Sequence, residues 1–222
     1  DFEKRIEHLV ADSSWVVPAG EAPDVPRAEH LRKYLDHART VLPNPLALGP
    51  VRLAVDCANG AMTTVAPALF RELGFSLTVI GADPDGRNIN KGVGSTHPEK
   101  LADIVRREGH RLGVAFDGDG DRAILVDGAG RVLDGDHVLL MCARQMKAEG
   151  RLRGNAVVAT VMSNIGLQLA LEKLGIELIR TQVGDKYVME EMQRRHLSLG
   201  GEQSGHLIFS DHLFTGDGLI TA

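Results

Sequence analysis

The chain has 222 residues, of which 43% are hydrophobic and 25% are charged, as in ordinary globular proteins and unlike disordered or fibrous ones. This length suffices for one large domain or for two domains of common size. Lysine and arginine total 25 against 30 acidic residues, a formal net charge of -5. Since no basic field would attract phosphate backbones, we expect no nucleic-acid partner.

The distribution of apolar residues and cysteines restricts the environment of the protein. No uninterrupted apolar stretch approaches the roughly 18 residues that a bilayer span requires, and the first ten residues are charged and amphipathic. Cys57 and Cys142 are far apart and form no C-x-x-C pair, so the sequence predicts neither a disulfide framework nor a zinc site. We therefore expect a cytoplasmic protein with no membrane partner.

Two helices and a linker are predicted before residue 51. Apolar residues at helical spacing predict a helix over 1–10, and the segment 13–26 contains three prolines and reads as a linker. A second helix is predicted over 28–41, because the prolines that follow prevent its continuation. Since the chain lacks an initial methionine and opens inside a helix, we interpret 1–30 as the remnant of a preceding domain and a linker.

From residue 51 onward, short apolar strands alternate with amphipathic helices. The first series predicts a strand over 51–56, a helix over 61–74, a strand over 76–81, a helix over 98–109, a strand over 112–116 and a hairpin over 122–134 that turns at 127–130. The second series predicts a helix over 137–150, a strand over 156–161, a helix over 164–175, a strand over 176–182, a helix over 186–196 and a strand over 206–210.

This alternation predicts the fold class α/β, with two consecutive α/β domains, each a mainly parallel mixed sheet between helices. We place the boundary near Arg131, which gives a first domain over 31–131 and a second over 132–222. Because the chain stops within an apolar run, we expect the second domain to be truncated at its C-terminus.

An acidic glycine loop follows the third predicted strand. Asp117, Asp119 and Asp121 alternate with Gly118 and Gly120. Side chains two residues apart in extended backbone point the same way, and the glycines let the chain bend around a small ion. Three hard oxygen ligands favour a divalent cation such as Mg²⁺. The simplest alternative is a solvated acidic turn, since aspartate and glycine are common in turns.

Two other functions of an acidic loop can be compared with this sequence. An EF-hand counted from Asp117 would need glycine and glutamate where the chain has Arg122 and Gly128, so that interpretation fails. A magnesium-dependent phosphatase with Asp117 as nucleophile would use a later lysine and a later acidic segment, which Lys186 and the GDG at 216–218 imitate. The phosphatase leaves Asp121 unexplained, and we retain it as the second alternative.

Several strings resemble one enzyme family in order and spacing. The segment GVAFDGDGDR at 113–122, with the DGD at 134–136, resembles the metal loop of the α-D-phosphohexomutase superfamily. The other matching strings are VDCANGAM at 55–62, NIN and GST within 88–96, VGDKYV at 183–188, GGEQSGH at 200–206 and TGDG at 215–218. The resemblance extends over nearly all of 34–222.

The resemblance implies an incomplete enzyme. In that superfamily four domains surround one cleft and supply in turn a phosphorylated serine, a metal loop, a sugar-binding loop and a phosphate-binding loop. This chain resembles the second and third, so domains 1 and 4 of the same polypeptide are its expected partners. The serine segment of the form T-A-S-H-N is absent, and Ser13 and Ser14 do not replace it. We expect the chain alone to bind sugar phosphate without turnover.

The resemblance also implies roles for individual residues. The three aspartates would hold one Mg²⁺ ion, and Arg122 would donate to the phosphoryl oxygens. Glu202 and Ser204 would contact sugar hydroxyls. His206 would either transfer protons or make only a local hydrogen bond. At the predicted strand-to-helix turn of VGDKYV, Gly184, Asp185 and Lys186 could face the cleft, although Asp185 could equally cap the helix beside a surface lysine.

Gln203 bears on the substrate. In the superfamily, members that act on mannose or glucose phosphates commonly have methionine at this position, whereas those that act on glucosamine phosphate have asparagine or glutamine. The resemblance therefore implies a hexosamine phosphate substrate, with glucosamine 6-phosphate and glucosamine 1-phosphate interconverted through a 1,6-bisphosphate. Glucosamine 1,6-bisphosphate or glucose 1,6-bisphosphate would be the activator. A mutase acting on mannose or glucose phosphates is the first alternative.

Overall fold

The described part of this computed structural model comprises residues 2–12, 14, 16, 20 and 27–222. The predicted linker over 13–26 lies outside these residues except at 14, 16 and 20. The first predicted helix is confirmed as α1 (Phe2–Ala11) and the second as α2 (Arg27–Arg39). A short 3-10 helix, Pro45–Leu48, follows and was not predicted.

The first α/β unit contains five strands and two helices beyond α2. These are β1 (Arg52–Asp56), α3 (Met62–Glu72), β2 (Ser76–Ile80), α4 (Glu99–Glu108), β3 (Leu112–Phe116), β4 (Ala123–Asp127) and β5 (Val132–Leu133). The strand order is β2-β1-β3-β4-β5, in which β1 runs parallel to β2 and β3, and the remaining pairs are antiparallel. The predicted hairpin is confirmed: Asp127 accepts the backbone N–H of Gly130 at 2.8 Å.

The second unit repeats the pattern with a four-stranded sheet. Its elements are α5 (Gly135–Ala148), β6 (Ala156–Thr160), α6 (Ile165–Lys173), β7 (Glu177–Thr181), α7 (Asp185–Arg195), β8 (Leu199–Gly201), β9 (Leu207–Phe209) and α8 (Gly218–Thr221). The order is β7-β6-β8-β9, parallel except for the last pair. The sequence missed β8, because three residues that include two glycines give no apolar run.

Side chains cap three helices of the second unit, α5, α6 and α8. The Asp134 carboxylate accepts the backbone N–H of His137 at the start of α5, at 3.2 Å. Asn164 caps α6 in the same way, and Asp217 caps α8 through the N–H groups of Leu219 and Ile220. These caps satisfy backbone donors that no helical carbonyl can reach, and so fix where each helix starts.

The apolar core extends through both units. One cluster of buried side chains includes Val55 and Phe116 from the first sheet and Val157 and Leu207 from the second. Helix α8 adds Leu219 and Ile220 to the same cluster. Among the described residues, no helix combines the length and apolarity of a membrane span. The two sheets therefore share packing, which holds the loops at their ends in a fixed relation.

Candidate functional site

The acidic loop follows β3 and brings its three carboxylates together. One ligand oxygen from each of Asp117, Asp119 and Asp121 lies within 4.8 Å of the other two. Asp117 is the most enclosed, with 13% of its side chain exposed, and its Oδ1 accepts the backbone N–H groups of Gly120 at 3.2 Å and Arg122 at 3.1 Å. The loop is thus folded around its first aspartate while the other carboxylate oxygens converge.

The convergence of these carboxylates perturbs their protonation. The pKa of Asp117 is raised to about 7, first because burial disfavours its charged form and then because Asp121 and Asp119 hydrogen bond to it. Burial also acts to raise the pKa of Asp121, but hydrogen bonds with Asp117 and His206 outweigh it, so this pKa lies below its ordinary value. Three carboxylates at this separation require a proton or a cation between them.

The loop has the features that a divalent cation requires. Oδ1 of Asp121 is buried and has no hydrogen-bond partner among the described residues. An unpaired buried carboxylate oxygen is costly unless an ion or a water satisfies it. Three carboxylate oxygens with no nitrogen or sulfur ligand suit Mg²⁺ or Ca²⁺ better than zinc. Asp117, Asp119 and Asp121 therefore fit a hard divalent cation.

Arg122 lies beside this cluster without a close partner in it. Its Nε is 3.9 Å from Oδ2 of Asp117 and 3.9 Å from Oδ1 of Asp121, and 43% of its side chain is exposed. The Nε is buried and makes no hydrogen bond within the part of the chain that the structure describes. The guanidinium is close enough to reduce the carboxylate repulsion, and its remaining donors are available to an anion.

His206 links the acidic loop to the turn between β8 and β9. Its Nδ1 lies 2.9 Å from Oδ2 of Asp121, and the residue is only 4% exposed. Gly216 packs against the imidazole so closely that a Cβ at that position would overlap the ring. This hydrogen bond joins residues 85 positions apart, so it is not the bond to a neighbouring residue that the sequence offered as the alternative role of His206, and a proton-transfer role stays a prediction.

The turn at 202–206 is held by backbone and side-chain contacts. Glu202 accepts the N–H of Gly184 through Oε1 at 3.1 Å and the hydroxyl of Ser204 through Oε2 at 3.2 Å. Gln203 donates instead from Nε2 to Oδ2 of Asp134 at 3.1 Å. The backbone N–H of Ala123, at the start of β4, donates to the carbonyl of Gly205 at 3.1 Å. The first unit thus supports the turn of the second directly.

The structure separates the three residues of the VGDKYV string that were expected near the site. Gly184 contacts the turn through Glu202, as just described. Asp185 accepts the backbone N–H of Lys186 at 2.8 Å and is exposed at the start of α7. Among the described residues, neither Asp185 nor the Lys186 side chain has a hydrogen bond or ion pair to the acidic loop or to the 202–206 turn. Their part in a site stays a prediction.

Sequence reasoning missed two supports of the site. Gly135 donates its N–H to the carbonyl of Gln203 at 2.9 Å, and a Cβ on Gly135 would overlap the carbonyl of Glu202. The signal was the DGD string at 134–136, whose contact with the turn only the tertiary structure of the second unit shows. Gly216 packs against the His206 ring with no room for a Cβ, and its signal was the TGDG string.

A large apolar cavity lies away from this site. Its volume is about 780 Å³, and it is lined by side chains such as Leu53, Phe70, Met146 and Ile220. None of the acidic-loop or 202–206 residues lines it. The polar groups that could perform chemistry therefore converge at the ends of the strands and not in this cavity.

Comparison with known proteins gives two family matches. Residues 32–130 match the model described as phosphoglucomutase/phosphomannomutase, alpha/beta/alpha domain II. Residues 134–222 match the model for alpha/beta/alpha domain III of the same family. A curated phosphoglucosamine mutase of Desulforudis audaxviator (strain MP104C) is 50% identical over 225 residues, which cover 100% of this chain and 50% of that protein. The chain thus spans about half the length of the curated relatives it matches.

Solved structures show the same architecture. A phosphoglucomutase/phosphomannomutase family protein from Burkholderia thailandensis is similar with a TM-score of 0.75 and 29% identity, over 86% of this chain and 42% of that one. An Aspergillus fumigatus N-acetylphosphoglucosamine mutase, solved with GlcNAc-6P and magnesium, has a TM-score of 0.66 and 19% identity, over 86% of this chain and 49% of that one. The fold prediction is confirmed, and the chain belongs to the phosphoglucomutase/phosphomannomutase family, of which it contains the alpha/beta/alpha domains II and III.

Proposed function

We propose that this chain is the central part of a phosphoglucosamine mutase, which interconverts glucosamine 6-phosphate and glucosamine 1-phosphate. The observation on which the proposal rests is the hydrogen bond of 2.9 Å between His206 and Asp121, which places the 202–206 turn against the three clustered carboxylates. A cation site and a sugar-contacting turn then border one cleft. The identity of about half of all residues to proteins named phosphoglucosamine mutase supports the substrate.

The acidic loop would act on phosphate. Asp117, Asp119 and Asp121 would hold one Mg²⁺ ion, which when bound supplies positive charge to a phosphoryl oxygen. The loop itself supplies three fixed carboxylates whose mutual repulsion favours cation binding. Arg122, with donors free of the aspartates, would bind the remaining phosphoryl oxygens. Phosphoryl transfer depends mostly on such positioning and charge stabilisation.

The turn would hold the sugar. Glu202 and Ser204 already contact each other, so a hydroxyl that reaches this pair meets a carboxylate acceptor and a hydroxyl that can donate or accept. His206, fixed by Asp121, would move a proton between the sugar hydroxyl and the phosphate. Because the bisphosphate must rebind in the reversed orientation, groups that accept hydroxyls from either face serve better than a closely shaped pocket.

The phosphatase alternative has less support. Asp217, which would be its second acidic group, caps α8 and accepts the hydroxyl of Tyr34 at 2.9 Å. The Lys186 side chain, its expected cation, makes no hydrogen bond or ion pair to Asp117 within the described residues. These positions leave Asp117 without the partners that an aspartyl nucleophile requires. A mutase for mannose or glucose phosphates uses the same groups and stays the first alternative.

The test compares the turnover of several sugar phosphates by the longer protein in which this chain occurs. We expect turnover of glucosamine 6-phosphate in the presence of Mg²⁺ and a hexose 1,6-bisphosphate, and at least about tenfold lower kcat/KM with glucose 6-phosphate or mannose 6-phosphate, a difference of about 1.4 kcal/mol. The 222-residue chain alone should show no turnover under the same conditions. Faster conversion of a neutral hexose phosphate, or release of inorganic phosphate, would replace the proposal with one of the alternatives.

A further inference from the structure

The segment 134–136 and Gln203 are joined by two hydrogen bonds. The Gln203 side chain donates to Oδ2 of Asp134 at 3.1 Å, and the Gln203 carbonyl accepts the N–H of Gly135 at 2.9 Å. Asp134 is itself fixed, since its Oδ1 accepts the N–H of His137 at 3.2 Å as the cap of α5. One residue of the turn is thus attached at both backbone and side chain to the first turn of a fourteen-residue helix.

The neighbours of Gln203 are attached elsewhere. Glu202 and Ser204 bond to each other, and Glu202 also bonds to the N–H of Gly184 at the start of α7. Gln203 is therefore bonded to the start of α5, whereas the preceding residue, Glu202, is bonded to the start of α7. Gln203, whose residue type correlates with substrate in the superfamily, is thus held by a different helix from Glu202 and Ser204, which are expected to contact the sugar.

We propose that Gln203 is a positioning residue, which together with Asp134 forms a strap that sets the orientation of Glu202 and Ser204 without contacting the sugar. The proposal rests on the proposed function for what the pair binds, but the strap itself is a property of the fold. Only the amide nitrogen of Gln203 can donate, and the Asp134 carboxylate can only accept, so the chemistry fixes how the amide is oriented. Removing either side chain would leave the turn bonded to α5 only through the backbone N–H of Gly135.

A donor and acceptor exchange tests the strap in the 222-residue chain. Gln203→Glu places two carboxylates against each other, whereas Asp134→Asn with Gln203→Glu restores one donor and one acceptor. Asp134→Asn alone keeps the cap of α5 and can bond to a reversed Gln203 amide. We expect Gln203→Glu to speed amide hydrogen exchange at Gly135 and Gly184 by at least about tenfold, and the double variant to return both within about threefold of the parent.

Gln193→Glu is the matched control, because Gln193 is exposed on α7 and no described side chain bonds to it. It should leave exchange at Gly135 and Gly184 unchanged. The Gly184 amide reports on the strap because its protection depends on the position of the Glu202 carboxylate. The strap is rejected if Gln203→Glu leaves both amides protected, or if the double variant exchanges as fast as the single one.

A second measurement decides whether Gln203 contacts the sugar. In the longer protein, Gln203→Met should lower kcat/KM for glucosamine 6-phosphate and for glucose 6-phosphate by the same factor, so that their ratio changes less than about threefold. A ratio that changes by about tenfold or more would show a direct contact and overturn the positioning role. If the parent protein converts neither sugar phosphate, the proposed function is wrong, while the exchange result still decides the strap.

Discussion

At the scale of single residues, the three aspartates differ in ways that decide which substitution is informative. Asp117 is enclosed and accepts two backbone N–H groups, so replacing it would disturb the loop as well as any ion. Asp121 holds His206. Asp119 is exposed and makes no hydrogen bond to the backbone among those described. It is the carboxylate whose removal changes cation binding with the least change in folding.

Asp119→Asn should therefore weaken Mg²⁺ or Mn²⁺ binding by at least about tenfold, since one of three anionic ligands is lost. The free energy of unfolding should change by less than about 0.5 kcal/mol, as for other exposed sites. Calorimetric titration and urea denaturation of the chain measure the two effects. Asp103→Asn, at an exposed aspartate on α4, makes the same charge change and should bind the ion like the parent. Equal affinity in both variants would contradict the assignment.

The cysteines give a second prediction for single residues. Burial raises the pKa of the Cys57 thiol to about 12 and that of Cys142 to about 11, and the nearby Asp56 charge adds to the effect at Cys57. Because the thiolate is the reactive form, the native chain should react with a thiol reagent at pH 8 at least about 100-fold more slowly than the urea-unfolded chain. Two thiols should be titrated in urea. Rapid labelling of Cys57 in the native chain would show that β1 is not packed as described.

At the scale of elements, a side-chain hydrogen bond joins α2 to the start of α8. The hydroxyl of Tyr34 donates to both carboxylate oxygens of Asp217, at 3.1 and 2.9 Å. Burial, and then the charge of Asp217, hold the pKa of Tyr34 above its ordinary range, so the hydroxyl stays a donor. The contact connects a helix that precedes the first sheet with the helix that follows the second.

Tyr34→Phe should lower the free energy of unfolding by about 1–2 kcal/mol, because it removes a partly buried hydrogen bond to a charged acceptor. Thermal or urea unfolding of the chain measures the change. Tyr187→Phe is the matched control, since that side chain is 43% exposed and its hydroxyl has no hydrogen bond to a described residue. It should change stability by less than about 0.5 kcal/mol. Equal stabilities for the two variants would show that the Tyr34 contact does not connect the helices.

At the scale of the whole molecule, the shared core makes a prediction about cooperativity. Buried side chains of both sheets and of α8 belong to one apolar cluster, so neither unit can open without exposing part of the other. Urea unfolding followed by far-UV circular dichroism and by amide exchange in β3 and β6 should give one midpoint. Leu207→Ala, at a residue only 1% exposed, should lower the free energy of unfolding by about 2–4 kcal/mol, and the midpoint should fall equally for both sheets. Two separate midpoints would mean that the units fold independently.

The sequence by itself determined most of the helices and strands and the acidic loop. Strand and helix periods are local, and the alternation of aspartate with glycine after β3 is visible in five consecutive letters. The fold class, both helices before residue 51 and the hairpin at 127–130 were all predicted from such local patterns. The strand β8 was not, because its two glycines have no apolar period and only its neighbours keep it buried.

Only the tertiary structure decided which distant groups meet. The pairs His206 with Asp121, Gln203 with Asp134 and Tyr34 with Asp217 lie 85, 69 and 183 positions apart along the chain. Nothing in the local sequence pattern around either partner specifies the other. The contacts of His206 and Tyr34 depend on how the two units pack through their common core, and that of Gln203 depends on the tertiary packing within the second unit. The residue types that could form a site were therefore visible in the sequence, whereas their convergence follows from the packing.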